Sequence, residues 1–411
     1  MKILYINHYA GSPNYGMAFR PYYLAKEWVK LGHEVTIVGA DNSHLRNIQP
    51  NIQKDLTTEK IEDINYLWIK TPRYSSSGIR RIFNIVTFVL KLLKYRSRIY
   101  KQTNPDVVIA SSTYPLDIYP AYYIARKNKA KLVFELHDMW PLSPMVIGGY
   151  SKFHPFIIAM QLAENFACKK SDLYISLLGN AKDYLVEHGL KEENFVHIPN
   201  GYDLEEYKNN STSIPKEHEQ LISRLRKEKY TIVGYAGGHA PSNALLSYVQ
   251  AIKSFSTSDK VAFLLVGNGP QKEAIVELAN KNEQKNVFFL PAINKTSIPN
   301  LLDKFDILYA GGVSSILHSY GTSFNKITDY MLAGKPIIFA VDEPNSLVEK
   351  VGCGFQISAE NNSELTETIK LLIEMPEKER EEMGKKGHEY AINKLTYSSL
   401  ANQFITALTN C

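Results

Sequence analysis

Two hydrophobic patterns alternate along the chain. Short apolar runs at 3–6, 34–38, 66–69, 107–110, 132–136, 173–176 and 195–198 read as buried strands. Between them, the segments 19–31, 79–101, 116–128, 156–169 and 181–188 place apolar residues at helical spacing. Gly32 stops the first of these helices, and Pro105 separates the basic helix from the strand after it. Strands fed by helices of this length predict a parallel sheet covered on both faces. The pattern then breaks. Pro199-Asn200-Gly201-Tyr202-Asp203 is turn chemistry, and 206–229 is polar and reads as a linker zone. A second alternating set follows. Its strands are expected at 231–235, 262–266, 287–290, 307–310 and 337–340, with helices near 245–255, 273–281, 298–304, 326–333 and 363–373 and a helical tail from 376.

The fold class expected is therefore α/β, with two doubly wound, Rossmann-like domains. The first spans 1–205, the second 206–394, and a final helix at about 395–411 packs back on the first. A chain of 411 residues is long enough for two cores. Cys168, Cys353 and Cys411 are odd in number and far apart, which fits neither a disulfide framework nor a CxxC metal pair. No run approaches the roughly 20 apolar residues of a spanning helix, and Met1-Lys2-Ile3 leads directly into a strand, so a cytoplasmic protein is expected. The net charge of +5 divides into +6 over 1–205 and −1 over 206–411. Its source is the segment 79–101, with Arg80, Arg81, Lys91, Lys94, Arg96, Arg98 and Lys101 and no acid.

The stretch 320–336 carries the most chemistry. A small, polar run opens a helix with Lys326 in its first turn and Asp329 one turn later, and Ala333-Gly334-Lys335-Pro336 ends it. Free N–H groups at a helix start carry partial positive charge and seat phosphate. Lys326 adds a full charge there, and Asp329 can accept hydrogen bonds from sugar hydroxyls. Phosphate and ribose recognition side by side points to a nucleotide. A dehydrogenase is disfavoured, because no Gly-x-Gly-x-x-Gly follows the first strand.

The ordered set Asn200-Gly201, Gly237-Gly238, Leu265-Val266-Gly267-Asn268-Gly269-Pro270 and Lys326-x-x-Asp329-Tyr330-Met331-x-Ala333-Gly334-Lys335-Pro336 resembles glycosyltransferase family 4. Gly32-His33-Glu34-Val35 fits the same family, and the likeness covers nearly the whole chain, nearest to the branch that makes bacterial surface polysaccharides. The resemblance implies the GT-B architecture, with two domains facing across a cleft. It also implies a retaining, metal-independent transfer with no cofactor. Many members carry two glutamates spaced eight apart: Asp329 matches the second, and the first falls on Gly321. An Arg and a Lys usual in the family correspond to Gly238 and Asn243. The Asn325-Lys326 pair is a substitute for those cations.

On this reading the donor contacts are Gly237, Gly238, Gly267, Pro291, Ala292, Ser323, Phe324, Asn325, Lys326 and Asp329. The catalytic set is His137, Asp138 and Lys326. His137 and Asp138 end a strand, where open α/β sheets place ligands, and the resemblance puts His137 on the donor sugar or its phosphate. Gly11, Tyr15, Gly16 and Arg20 form the acceptor side, with Arg20 set to meet an anionic acceptor. Plainer readings stand beside these: a satisfied buried histidine for His137, a helix cap for Asp138, a tight turn for Gly11 and Gly16, and a surface ion pair for Arg20. His8 and His33 read as structural. The expected partners are a nucleotide-sugar donor, UDP-linked, and a lipid-linked saccharide acceptor. The basic helix 79–101 is expected to dock on an anionic membrane at the inner face of the plasma membrane. No basic stripe or aromatic pattern suggests nucleic acid. Two rival functions remain: a nucleotide-sugar epimerase on the same fold, and a non-catalytic nucleotide-binding subunit.

Overall fold

The computed structural model describes residues 1–17, 19–74, 78–209 and 212–411. The chain divides into two compact units: Met1–Gly201 with Tyr397–Cys411, and Tyr202–Thr396.

The first unit is built on an eight-stranded sheet of order β3-β4-β2-β1-β5-β6-β7-β8. Its strands are β1 (Lys2–Ile6), β2 (Glu34–Ala40), β3 (Thr57–Ile61), β4 (Ile64–Ile69), β5 (Val107–Ala110), β6 (Lys131–Leu136), β7 (Leu173–Ser176) and β8 (Phe195–His197). All neighbours pair in parallel except β3 and β4, which form an antiparallel hairpin at one edge. The sequence pattern misses β3, because Thr57-Thr58-Glu59-Lys60-Ile61 buries only Ile61 and lacks an apolar run. The central strands β5 and β7 are buried at every residue, as strands packed on both faces must be. One face carries the helix Arg20–Lys30 and the last helix, Tyr397–Asn410. There Trp28 meets Phe404 edge-on, and Tyr23 stacks on Tyr397.

The second unit has a six-stranded, all-parallel sheet of order β11-β10-β9-β12-β13-β14. The strands are β9 (Thr231–Ala236), β10 (Val261–Val266), β11 (Val287–Leu290), β12 (Ile307–Gly311), β13 (Ile337–Ala340) and β14 (Gly354–Ile357). The edge strand β14 was not legible from its short pattern. Strand order reverses between β9 and β12, so this unit has its switch point there. The polar stretch expected to be a linker folds instead into the helices Leu204–Asn209 and Lys216–Lys227. Residues 210–211 of that stretch lie outside the described residues. His218, Ile222 and Leu225 form the buried stripe of the longer helix, which hydrophobic runs alone would not reveal.

Candidate active site

In the second unit, the helix Asn325–Leu332 follows β12 and starts at the switch point. Ile327, Tyr330, Met331 and Leu332 bury its inner face. The Tyr330 hydroxyl accepts the Ala236 N–H at 3.2 Å and ties the helix to the end of β9. Phe324 is the N-cap and supplies no side-chain acceptor, so no N-cap side chain competes for the first turn, where Ile327 N–H already bonds Phe324 O at 3.0 Å. Phe324 packs its ring against the core beside Phe339, which leaves its backbone as the part able to meet a ligand. Ser323 is half-buried before it, and Asn325 is exposed after it.

Lys326 reaches across to β9. Its Nζ donates to Asn243 Oδ1 at 2.8 Å and to the Tyr235 hydroxyl at 3.1 Å, and lies 4.5 Å from the centre of the Tyr235 ring. Tyr235 and Asn243 are themselves held, each donating to Gly238 O, at 2.6 and 3.0 Å. An ammonium has three donors, so one N–H remains uncommitted. Among the described residues, no carboxylate pairs with this cation. Burial lowers its pKa from 10.5 to about 8. A half-buried cation held only by neutral acceptors is a built-in demand for an anion.

The glycines beside it have distinct reasons. A Cβ on Gly237, which sits at φ +156°, would come 3.4 Å from Lys326 Nζ. A Cβ on Gly267 would collide with Gly237 O at 1.9 Å, so the loops after β9 and β10 can meet only through glycine. Gly238 has no such demand: the nearest atom to its Cβ position is 4.0 Å away. Pro291 and Ala292 follow β11 and are exposed, with Pro291 O accepting from His218 at 3.0 Å. His239, next to Gly238, is sealed in and neutral, its pKa lowered to about 4 by burial. Asp329, one turn after Lys326, reaches solvent, and its carboxylate takes no hydrogen bond among the described residues. Desolvation by the surrounding protein raises its carboxyl to about 6. The predicted donor residues after β9, β10 and β11 and on the helix after β12 thus lie at the C-terminal edge of one sheet.

In the first unit, His137 and Asp138 follow β6. His137 Nε2 lies 2.9 Å from Ser111 Oγ and 3.3 Å from Glu135 Oε2. The Ser111 hydroxyl donates to Glu135 at 2.6 Å, so it must accept from His137, which places the proton on Nε2 and leaves Nδ1 facing away from the carboxylate. Burial alone would raise Glu135. Arg20, with His137 and Ser111, overrides that and holds it well below the usual carboxylate range. Asp138 is exposed and raised by burial of its surroundings. It caps no helix, since Pro141 is the N-cap of Leu142–Gly148.

The acceptor-side expectations need correction. Arg20 is 5% exposed and pairs with Glu135 at 2.9 Å, while its remaining nitrogens bond Ile198 O and Pro199 O. It is neither a surface ion pair nor open to an acceptor; it positions Glu135. Tyr15 is also buried, donating to Glu59 at 2.6 Å and packing edge-on against Trp68. Gly11 is required by its own loop, because a Cβ there would lie 2.2 Å from Met17 O. Gly16 takes φ +74° to close the short turn Pro13–Tyr15 and is exposed. His8 is structural: fully buried, bonded to the Tyr114 hydroxyl, and lowered to about 3 by burial. Sequence reading did not find Tyr235, Ser111 and Glu135. Their only signal is position, at or just past strand ends, and the partners that give them meaning are far away in the chain.

Residues 16–206 match the family model described as Glycosyltransferase Family 4, and residues 217–390 match Glycosyl transferases group 1. Among solved structures, the chain is similar to Anabaena HepE in complex with UDP and glucose, at 16% identity and TM-score 0.63, covering 100% of both chains. It is similar to sucrose-phosphate synthase from Thermosynechococcus elongatus, at 14% identity and TM-score 0.69, over 100% of this chain and 99% of that one. A further likeness, at 14% identity and TM-score 0.63 over 100% of both chains, is to WaaG, a glycosyltransferase involved in lipopolysaccharide biosynthesis. No curated protein sequence matches the chain.

Proposed function

The chain belongs to glycosyltransferase family 4 and has the GT-B fold; from that premise we propose that it moves a sugar, with retention, from a UDP-sugar to a lipid-linked saccharide in bacterial surface-polysaccharide synthesis. The observation that carries this reading is Lys326: a half-buried cation with no anion and one N–H uncommitted among the described residues, in the first turn of a helix whose N-cap side chain supplies no acceptor. Support for the nucleotide comes from HepE, whose structures contain UDP and UDP-glucose. Support for the pathway class comes from WaaG and lipopolysaccharide.

Breaking the anomeric C–O bond builds charge on the leaving diphosphate. Preorganised donors aimed at that charge lower the barrier most. Lys326, the backbone at Ser323–Asn325 and the amides near Gly237 and Gly238 take this role, so the proposed reaction needs no metal. Asp329 holds the ribose hydroxyls, and Gly267, Pro291 and Ala292 lie near the base. On the first unit, His137 meets the donor sugar or its phosphate, oriented by Ser111 and Glu135, with Asp138 beside it. The leaving phosphate itself takes the acceptor's proton, so no dedicated protein base is assigned. Docking at the inner face of the plasma membrane, through the basic helix 79–101, brings the enzyme to its acceptor.

The test uses the full chain, a panel of labelled UDP-sugars and a lipid-linked saccharide acceptor, with EDTA present. Transfer is expected in EDTA, and Lys326→Ala should lower it by about 10²–10³-fold with the fold intact. Near-normal turnover of that variant would remove the diphosphate assignment. Conversion of the donor sugar without any acceptor would reassign the chain as an epimerase.

A further inference from the structure

We propose that the first unit meets an anionic bilayer through two elements, of which the basic helix is only one. The second is the exposed apolar segment 142–162. This inference rests on the lipid-linked acceptor reading above.

The helix Ile79–Thr103 is apolar on two faces. Ile85, Phe88, Val89, Leu92 and Ile99 are buried against the unit. A separate row, Ile79, Phe83, Val86 and Leu90, points to solvent, with Ile79 85% and Phe83 62% exposed. Steps of three and four residues keep that row on one side of a helix. The same stepping continues through Lys94, Arg98 and Lys101, all exposed and without a carboxylate partner among the described residues. Among the described residues, only Lys91 of this helix pairs with a carboxylate, Asp55, at 2.9 Å.

The segment after β6 repeats the arrangement. The short helix Leu142–Gly148 buries no residue at all. Ile147 is 78% and Phe153 75% exposed, and Val146 and Tyr150 are exposed with them. The next helix, Pro155–Lys170, buries Ile157, Met160, Ala163 and Ala167 but turns Ile158 and Leu162 outward. Lys152 lies over the Phe153 ring, at 5.2 Å.

The two elements converge. Ile85 and Val89 share one buried cluster with Met160, Phe156 and Trp140, gathered around Tyr9 and Tyr114. Tyr9, Tyr114 and Trp140 follow β1, β5 and β6, the edge of the sheet that also carries His137. Both elements are therefore anchored by their inner faces at that edge, and each leaves large apolar side chains in solvent. Large exposed apolar side chains grouped on an element mark an interaction site. Its charge selects the occupant: apolar side chains sink to the acyl boundary while lysine and arginine sit among anionic headgroups. No described helix is long and apolar enough to cross a membrane, so the contact is docking.

The experiment is co-sedimentation of the full chain with vesicles of phosphatidylcholine containing phosphatidylglycerol, against phosphatidylcholine alone. Two variants are compared, F83S/L90S and I147S/F153S, each placed on the surface and away from the donor site. Wild type should partition to the anionic vesicles and be released by salt. Each double variant should weaken partitioning by at least about tenfold, since each large apolar side chain withdrawn removes a comparable transfer energy. UDP-induced thermal stabilisation should be unchanged in both. Wild-type-like partitioning of I147S/F153S would overturn the two-element surface. Loss of self-association in that variant, with vesicle binding retained, would overturn it in favour of a second copy. Absent UDP stabilisation in the wild type would instead strike the nucleotide-sugar reading, separately from the membrane result.

Discussion

Replacing Lys326 with methionine should stabilise the ligand-free protein and abolish its response to UDP. Burial lowers the lysine from 10.5 to about 8. At about 1.4 kcal/mol per unit, holding that charge costs the folded state up to about 3 kcal/mol near neutral pH. Water reaches part of the side chain, so a gain of about 1–3 kcal/mol is the working figure. Methionine keeps the length and apolar stem. Tyr235 and Asn243 both still donate to Gly238 O, and the Asn243 Oδ1 that loses its donor is half-exposed and open to water. For a unit of this size, the gain corresponds to a rise in Tm of about 2–12 °C. The pH dependence has a fixed sign. The folded pKa lies below the unfolded one, so the unfolded chain binds more protons between them. Wild-type stability should therefore rise from pH 8 towards 10.5, and its gap to Lys326→Met should be largest below pH 8 and close above that range. Scanning calorimetry of both proteins across pH, with and without UDP, measures this. A Lys326→Met protein that is less stable than wild type by more than about 1 kcal/mol, or that still gains stability from UDP, would refute the uncompensated-cation argument.

Three further outcomes follow from the same geometry. UDP affinity should fall about tenfold per pH unit above pH 8, with proton uptake on binding visible by calorimetry in two buffers, because the diphosphate needs the charged lysine. Gly238→Ala should keep its Tm but lose UDP affinity if ligand backbone contacts run there, whereas Gly267→Ala should lose several kcal/mol of stability, since its new Cβ would lie 1.9 Å from Gly237 O. Arg20→Met leaves Glu135 buried without its cation and should cost about 3–5 kcal/mol by thermal denaturation. The double variant R20M/E135Q should recover much of that, because it removes the buried charge together with its partner.

What the sequence determined alone was the order of elements and the place of the donor chemistry. Buried strands of parallel sheets read as apolar runs because both faces are covered, so β1, β5, β10 and β13 were visible as soon as the pattern was read. The helix start at Lys326 was legible for a local reason too: cation and carboxylate lie within one turn of each other, and their spacing is their geometry. Edge strands β3 and β14 escaped because an edge covers less core and needs no apolar run. Contacts between distant residues could only be decided by folding. Arg20 looked like an open cation until tertiary structure set Glu135, from β6, against it. Tyr15 looked like a loop aromatic until Glu59 and Trp68 enclosed it. The outward row of helix 79–103 was likewise undecided, since a helical repeat shows which residues share a face but not which faces the rest of the chain covers. Spacing along the chain reports direction, and only packing reports what stands in that direction.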